Sequence, residues 1–131
     1  MKPKVNYCQG MNYIASFLFQ LIKNEEETFF LMYGLFEYTD FSQIFIEDLI
    51  KLKQYFNAFD RLICLFLPEL HYYFKTNSII VNYFSSSWFI TLFTNSIQYL
   101  PCRENPKVVL HIWDQFILVF YLIFLIFSHL N

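Results

Sequence analysis

The residues with the clearest potential for chemistry lie near the N-terminus, in the run Tyr-Cys-Gln-Gly-Met-Asn at residues 7–12. The Gln9 carboxamide can donate and accept hydrogen bonds at once. Gly10 has no Cβ, so the backbone there can bend or be approached closely. Asn12 can hydrogen-bond to nearby backbone, just before an apolar helical run that begins at Ile14. These six residues could hold a reactive amide still, although by themselves they are more simply explained as a helix entry with a solvent-facing glutamine.

Composition indicates an all-α domain. The 131 residues are enough for one domain with one core. The hydrophobic share is 56%, against a usual apolar share of about 45–50%. Only two glycines and four prolines are present, which leaves few tight turns and favours helices over a hairpin-rich sheet.

Charge and cysteine usage exclude several classes of function. The net charge is −2 and the nine Lys and Arg residues are scattered, so there is no electrostatic footprint for nucleic-acid binding. Cys8, Cys64 and Cys102 are odd in number and lack paired metal-ligand spacing. Reduced thiols in a cytoplasmic protein are the simplest explanation, and we expect neither a metal nor a cofactor.

One apolar run in the sequence leaves contact with a membrane as an alternative. A transmembrane helix needs about 20 apolar residues. The longest apolar run, Phe116 to Phe127, is shorter than that and follows Asp114 and Gln115. The first ten residues do not resemble a secretory signal. Residues 116–127 could still contact a membrane, with the protein peripheral on endomembranes.

Periodicity predicts a first helix from Met11 to Ile22 and a second that Asn24 caps, with three glutamates in its first turn. We expect the second helix to close at residues 38–40, where Asp40 or Ser42 caps a short turn. The inward residues of the first helix are Ile14, Phe17, Leu18, Leu21 and Ile22, and those of the second include Phe29, Phe30, Met32 and Phe36.

A sustained stripe predicts a third helix, and Pro68 predicts the start of a fourth, with Leu67 at the boundary. His71 has no acidic or histidine partner at ligand spacing, so we expect a partly exposed helical residue. The residues of the stripe are Leu49, Leu52, Phe56, Phe59 and Ile63.

Two further helices complete the expected bundle of about six, without internal repeats. Asn105 and Pro106 predict the start of the last one, after a loop over residues 101–106. We expect Asp114 to bond a backbone donor or a tyrosine. The first of these helices has Phe84, Trp88, Phe89, Leu92 and Phe93 on one face, with Ser85, Ser86, Thr91 and Thr94 around the rest. The last has Val109, Ile112, Trp113 and Phe116 on one face.

Four segments together resemble one family. Residues 7–15 resemble the glutamine-finger motif of the TBC domain, the Rab GTPase-activating family. Leu-Pro-Glu-Leu-His at 67–71 and Ser-Trp-Phe-Ile-Thr-Leu-Phe at 87–93 resemble two later motifs. Residues 109–116 resemble a fourth, with His111 where arginine is usual. Their order matches the family over residues 7–118, which reverses the balance between the two interpretations of Gln9.

The resemblance implies an all-helical, multi-helix TBC-like bundle that binds a GTP-loaded Rab-type protein and speeds its GTP hydrolysis. Gln9 would then be the catalytic residue that orients the attacking water. Tyr7, Gly10, Met11 and Asn12 would hold it or shape the GTPase contact. The structural motif residues would be Trp88, Phe89, Trp113 and Asp114.

The chain also departs from the family pattern. The family's arginine finger lies upstream of the glutamine motif, and neither Arg61 nor Arg103 matches its pattern. Because an arginine finger contributes about 10³ to 10⁵ in rate, we expect a weak activator or none. The family's C-terminal helices are also missing from the expected arrangement, and an apolar run takes their place.

We therefore expect a partial TBC-like domain over residues 1–118 and a divergent apolar tail over 119–131. Two alternatives stay open. One is a catalytically inactive Rab-binding or scaffolding module. The other is a small membrane-associated helical protein that uses residues 116–127 as an anchor.

Overall fold

The computed structural model describes residues 7–46, 49–95 and 107–129. Every regular element within these ranges is a helix, which confirms the all-α prediction. The chain divides into two compact units, Met1–Asn95 and Ser96–Asn131, and each is described by itself. The elements are α1 (Met11–Ile22), α2 (Glu25–Tyr38), the 3₁₀ helix η1 (Asp40–Phe45), α3 (Ile50–Phe66), α4 (Pro68–Thr76), α5 (Val81–Thr91) and α6 (Lys107–His129).

Local signals set the ends of α1 and α2 where the sequence predicts them. Helix α1 ends at Lys23, which is in the left-handed region with φ 57°. The Asn24 side-chain oxygen then accepts a hydrogen bond from the Glu27 N–H at 3.1 Å. The first turn of α2 holds three glutamates, where the helix dipole favours negative charge.

The turn after α2 is capped by a different residue from the two expected. The Thr39 hydroxyl oxygen accepts from the Phe41 N–H at 3.1 Å and begins η1, so the expectation of Asp40 or Ser42 as the cap is wrong. Three rings then join α2 to η1. Phe36 and Phe41 have ring centroids 5.4 Å apart, and Phe45 lies 5.5 Å from Phe36.

The inward face of α2 is not the predicted one. Phe29 is 64% exposed and Phe30 is 60% exposed, whereas Met32 and Phe36 are half-buried. Helix α2 is apolar on several sides, so periodicity does not select the face that packs. Leu21 and Leu49, also predicted to lie inward, are exposed as well. Leu49 precedes α3 and has left-handed backbone with φ 50°, so it does not continue the helical stripe.

Helices α3, α4 and α5 pack through aromatic rings. Helix α3 contacts both α4 and α5, and its stripe residues Leu52, Phe56 and Ile63 are buried as predicted. Phe59 of α3 lies 5.9 Å from Trp88 of α5 in an edge-to-face arrangement, which is a favoured geometry for aromatic pairs. Pro68 is the first residue of α4, with Leu67 at the boundary.

His71 has an acidic partner that lies on another helix. Its Nε2 atom lies 3.4 Å from Asp60 Oδ1, and Lys75 Nζ lies 3.4 Å from the other oxygen of the same carboxylate. His71 is a partly exposed residue of α4, as predicted, and the spacing along the sequence did not reveal this partner. Asp60 belongs to α3 and His71 to α4, so the pair depends on how the two helices pack.

Three small polar residues of the α5 region are buried, contrary to the expectation that they surround the apolar face. Ser85, Thr91 and Thr94 have exposures of 5% or less. The Ser85 hydroxyl donates to the Val81 carbonyl at 2.7 Å. A hydroxyl that bonds the preceding turn is satisfied without an external partner, so it can lie in the core.

The second unit contains α6 among its described residues. Val109 and Trp113 are buried, and Ile112 and Phe116 are half-buried, in agreement with the predicted face. The expected loop and helix start at residues 101–106 lie outside the described residues. Helix α6 runs without a break past residue 118, and the domain boundary expected there stays a prediction. Within the described part of the chain, no helix is long and apolar enough to cross a membrane.

Replacement of Lys23 by glycine tests the left-handed end of α1. Glycine avoids the cost of about 1–2 kcal/mol that a side chain has in this region, and loses about 0.5–1 kcal/mol through its more flexible unfolded state. We expect Lys23→Gly to raise the free energy of unfolding in urea by about 0.5–1 kcal/mol. The control Gln20→Gly, at an exposed helical position of α1, should lower it by about 1 kcal/mol. A loss in both variants would contradict this prediction.

Candidate functional site

The turn that carries Gln9 is closed by backbone hydrogen bonds. The Met11 N–H donates to the Cys8 carbonyl at 3.2 Å, and the Tyr13 N–H donates to the Gly10 carbonyl at 3.1 Å. Gly10 is the N-cap of α1 and has φ 113°, a conformation that residues with a Cβ rarely adopt. The chain therefore enters α1 directly from a tight turn.

Two side chains of the first helical turn hold the backbone on each side of Gln9. The Asn12 Oδ1 atom accepts from the Gly10 N–H at 3.3 Å, as expected of asparagine at such a position. The Met11 Sδ atom lies 3.4 Å from the Cys8 nitrogen and accepts from its N–H. The backbone of both neighbours of Gln9 is thereby tied to α1.

The Gln9 side chain is exposed, whereas Gly10 beside it is buried. A Cβ atom placed on Gly10 in ideal geometry would lie 2.6 Å from Ile90 Cγ2 and 3.5 Å from Thr91 Cγ2. The first of these distances is too short for real atoms, so only glycine fits here without a shift. The turn thus rests on the C-terminal end of α5, and the Gln9 carboxamide lies on its exposed side.

The chemistry available at this turn is hydrogen bonding. Among the residues that the structure describes, no group of three or more His, Cys, Asp or Glu side chains could hold a metal ion. A carboxamide can accept from one partner through its oxygen while it donates to another through its nitrogen. An exposed amide on an anchored turn can therefore orient a small molecule such as water.

The other predicted site residues divide between the two units. Tyr7 is 73% exposed, Asn12 is exposed and Met11 is half-buried. Trp88 and Phe89 are half-buried and belong to α5, the helix against which Gly10 packs. The structure thus brings the segments at residues 7–12 and 87–93 together. In the second unit, Trp113 is buried next to Phe116, with ring centroids 6.3 Å apart, and Asp114 is exposed.

Sequence reasoning missed the contribution of Ile90 and Thr91 to this site. Both lie within residues 87–93, the segment that resembles a family motif. The sequence does not assign either residue a contact with the Gln9 turn. The one signal in the sequence was Gly10. A glycine indicates that another part of the chain can approach the backbone closely, but it does not show which residues do so. Their separation from Gly10 along the chain made this contact inaccessible to spacing arguments.

Comparison with known proteins identifies the family of the chain. The sequence profile of the Rab-GTPase-TBC domain matches residues 1–131, so the chain belongs to the Rab-GTPase-TBC domain family. It is 30% identical over 112 residues to GTPase activating protein Gyp51 of Schizosaccharomyces pombe, a match that covers 86% of this chain and 10% of that protein. It is 33% identical over 110 residues to Growth hormone-regulated TBC protein 1 of Rattus norvegicus, which covers 84% of this chain and 35% of that protein.

A third relative is named as a modulator of small G protein signaling. The chain is 27% identical over 114 residues to Small G protein signaling modulator 3 of Homo sapiens, and the match covers 87% of this chain and 14% of that protein. The chain thus spans between about a tenth and about a third of the length of these relatives. No solved structure matches it.

Gly10→Ala tests the contact between the turn and α5. We expect it to lower the free energy of unfolding in urea by about 2–5 kcal/mol, since left-handed backbone costs about 1–2 kcal/mol and overpacking about 1–3 kcal/mol. In an Ile90→Ala background the clash is relieved, and the same change should cost only the backbone part, about 1–2 kcal/mol. An equal loss in both backgrounds would show that Ile90 does not press on this turn.

Proposed function

We propose that this chain forms part of a GTPase-activating protein for a Rab-type small GTPase and that Gln9 is its catalytic glutamine. Membership of the Rab-GTPase-TBC domain family supports the class of activity. The observation that carries the assignment to Gln9 is its geometry. The side chain is exposed, and its two neighbours are tied by their backbone N–H groups to Met11 and Asn12.

The proposed chemistry is orientation of the attacking water. In GTP hydrolysis a glutamine positions the water in line with the γ-phosphate, and there is little covalent chemistry for the protein to do. The Gln9 Oε1 atom would accept a hydrogen bond from the water, and its Nε2 group would donate to a phosphate or backbone oxygen. Such a role depends on geometry, because a displacement of about 1 Å can cost about 10²-fold in rate.

The partner in this proposal is the GTP-bound form of the GTPase, because only that form presents a γ-phosphate to the Gln9 carboxamide. Tyr7 and Asn12 are both exposed and flank Gln9, so they would form part of the contact around the nucleotide. A buried Gly10 behind them leaves the outward side of the turn to the partner.

Full stimulation needs a cationic group as well. An arginine offsets the charge that develops on the transferred phosphoryl group and contributes about 10³ to 10⁵ in rate, or roughly 4–7 kcal/mol of barrier. Arg61 is exposed on α3 and does not match the family's arginine motif. We therefore expect weak stimulation by the 131-residue chain and stronger stimulation once a matching arginine segment precedes it.

Gln9→Ala is the direct test. We expect it to lower single-turnover GTP hydrolysis by a responsive Rab protein by about 10²-fold, with little change in the Kd for the GTP-bound form. A panel of GTP-loaded Rab proteins should be assayed with the chain by itself and with the chain extended by the sequence that precedes it in its gene. Gln20→Ala, which removes an exposed glutamine from α1, the helix that follows the Gln9 turn, is the matched control and should retain the rate.

Three results would contradict the proposal. Equal rates for Gln9→Ala and the control would remove Gln9 from the reaction. Binding that depends on GTP, without hydrolysis in the extended chain, would indicate an inactive Rab-binding module. Carbonate-resistant membrane partitioning that is lost when residues 116–127 are deleted would support the membrane alternative.

A further inference from the structure

The C-terminal end of α5 forms a wall behind the glutamine turn. This α5 wall consists of the Cγ2 methyl groups of Ile90 and Thr91. An ideal Cβ on Gly10 would lie 2.6 Å from the first methyl and 3.5 Å from the second. The Gly10 backbone therefore lies so close to the Ile90 methyl that there is no room for a side chain between them, and this contact limits movement of the turn towards α5.

The wall is stiff because its side chains have little rotational freedom. Both residues are β-branched, which restricts χ1 in a helix. Thr91 is also buried and held at its hydroxyl, which donates to the Ser87 carbonyl at 2.6 Å and accepts from the Asn95 N–H at 3.2 Å. Because these two hydrogen bonds fix the position of the hydroxyl, they also fix the direction of the Cγ2 methyl group on the same Cβ.

The backbone that follows the wall is strained. Leu92 has φ 48° and Phe93 has φ 66°, and a bulky residue in this region is unusual. The Phe93 N–H donates to the Trp88 carbonyl at 3.0 Å, and the two rings stack with centroids 5.7 Å apart. Strain of this kind persists where surrounding contacts over-determine the conformation, so this end of α5 is held in place by its own packing.

We propose that Ile90 is a positioning residue for Gln9, assisted by Thr91. The Ile90 Cγ2 methyl blocks movement of the Gly10 backbone from behind, and the bonds to Met11 and Asn12 hold the turn from the side of α1. Movement of the backbone on both sides of Gln9 is thereby restricted. The catalytic consequence rests on the proposed function, whereas the rigidity of the turn does not depend on it.

Two substitutions at Ile90 separate this methyl group from side-chain volume. Ile90→Leu keeps the volume but moves the branch from Cβ to Cγ and so removes the methyl that faces Gly10. Ile90→Val is smaller but retains that methyl. If Ile90 contributed only core volume, Ile90→Val would be the more harmful variant. If Ile90 positions the turn through its Cγ2 methyl, Ile90→Leu would be the more harmful variant.

The first measurement is amide hydrogen exchange by NMR on the 131-residue chain. The Gly10 and Met11 amides report the turn, and amides of α3 report unfolding of the unit. We expect Ile90→Leu to speed exchange of the turn amides relative to those of α3 by about fourfold, the ratio that corresponds to one buried methyl group. Ile90→Val should leave that ratio near its original value. An unchanged ratio in Ile90→Leu, or the same change in both variants, would overturn the proposal.

Thr91→Ser provides a second variant with the same logic. Serine keeps the hydroxyl that bonds Ser87 and Asn95 and loses only the methyl at 3.5 Å from the ideal Cβ position. We expect faster exchange of the Gly10 and Met11 amides than in the unsubstituted chain, by less than in Ile90→Leu. If Thr91→Ser leaves the exchange rates of the Gly10 and Met11 amides unchanged relative to those of the α3 amides, the result contradicts the proposal. This test remains available if Ile90→Leu does not fold.

The second measurement separates this proposal from the proposed function. In single-turnover hydrolysis with a responsive GTP-loaded Rab protein, Ile90→Leu should lower the maximal rate severalfold without a change in the half-saturating concentration, and Ile90→Val should restore it. Ile90→Leu should have no further effect in a Gln9→Ala background. If Ile90→Leu speeds amide exchange in the turn but leaves the maximal rate unchanged, Ile90 is not a positioning residue. The proposed catalytic role of Gln9 would not be affected by that result. Absence of stimulation by the unsubstituted, extended chain would instead contradict the proposed function, and the exchange measurement would still decide whether the wall holds the turn.

Discussion

The structure depends on one close approach, between the backbone of Gly10 and the Ile90 side chain of α5. At this point a Cβ would lie 2.6 Å from a methyl group, so the position requires glycine for its lack of a side chain as well as for its φ of 113°. Through Trp88 and Phe59 the same helix is packed on α3. The exposed amide of Gln9 is therefore connected to the bundle through a few rigid contacts.

Small hydroxyl residues and large rings have complementary roles around α5. Ser85 and Thr91 are buried and satisfy their hydroxyls on carbonyls one turn earlier, which lets neighbouring helices approach closely. The rings of Phe84 and Trp88, 5.2 Å apart, fill space on the other sides. The proposed role of Gln9, orientation of a water molecule, would demand rigidity more than reactivity, and packing of its turn against such a helix is consistent with that proposal.

The sequence determined the features that arise within about four residues of chain. The ends of α1, the Asn24 cap and the start of α4 at Pro68 agree with prediction, because caps and proline act on adjacent backbone. The same holds for part of the candidate site, since the Asn12 side chain bonds the Gly10 N–H two residues away. The four ordered motifs also sufficed to predict the family to which the chain belongs.

Only the tertiary structure decided how these elements meet. Sequence pattern could not select the packed face of α2, where Phe29 is exposed, because a helix that is apolar on several sides has no single preferred face. Nor could it join Asp60 to His71 across two helices. The sequence also did not predict that Ile90 lies behind Gly10. Contacts between residues distant along the chain depend on how helices pack, and local spacing does not encode this.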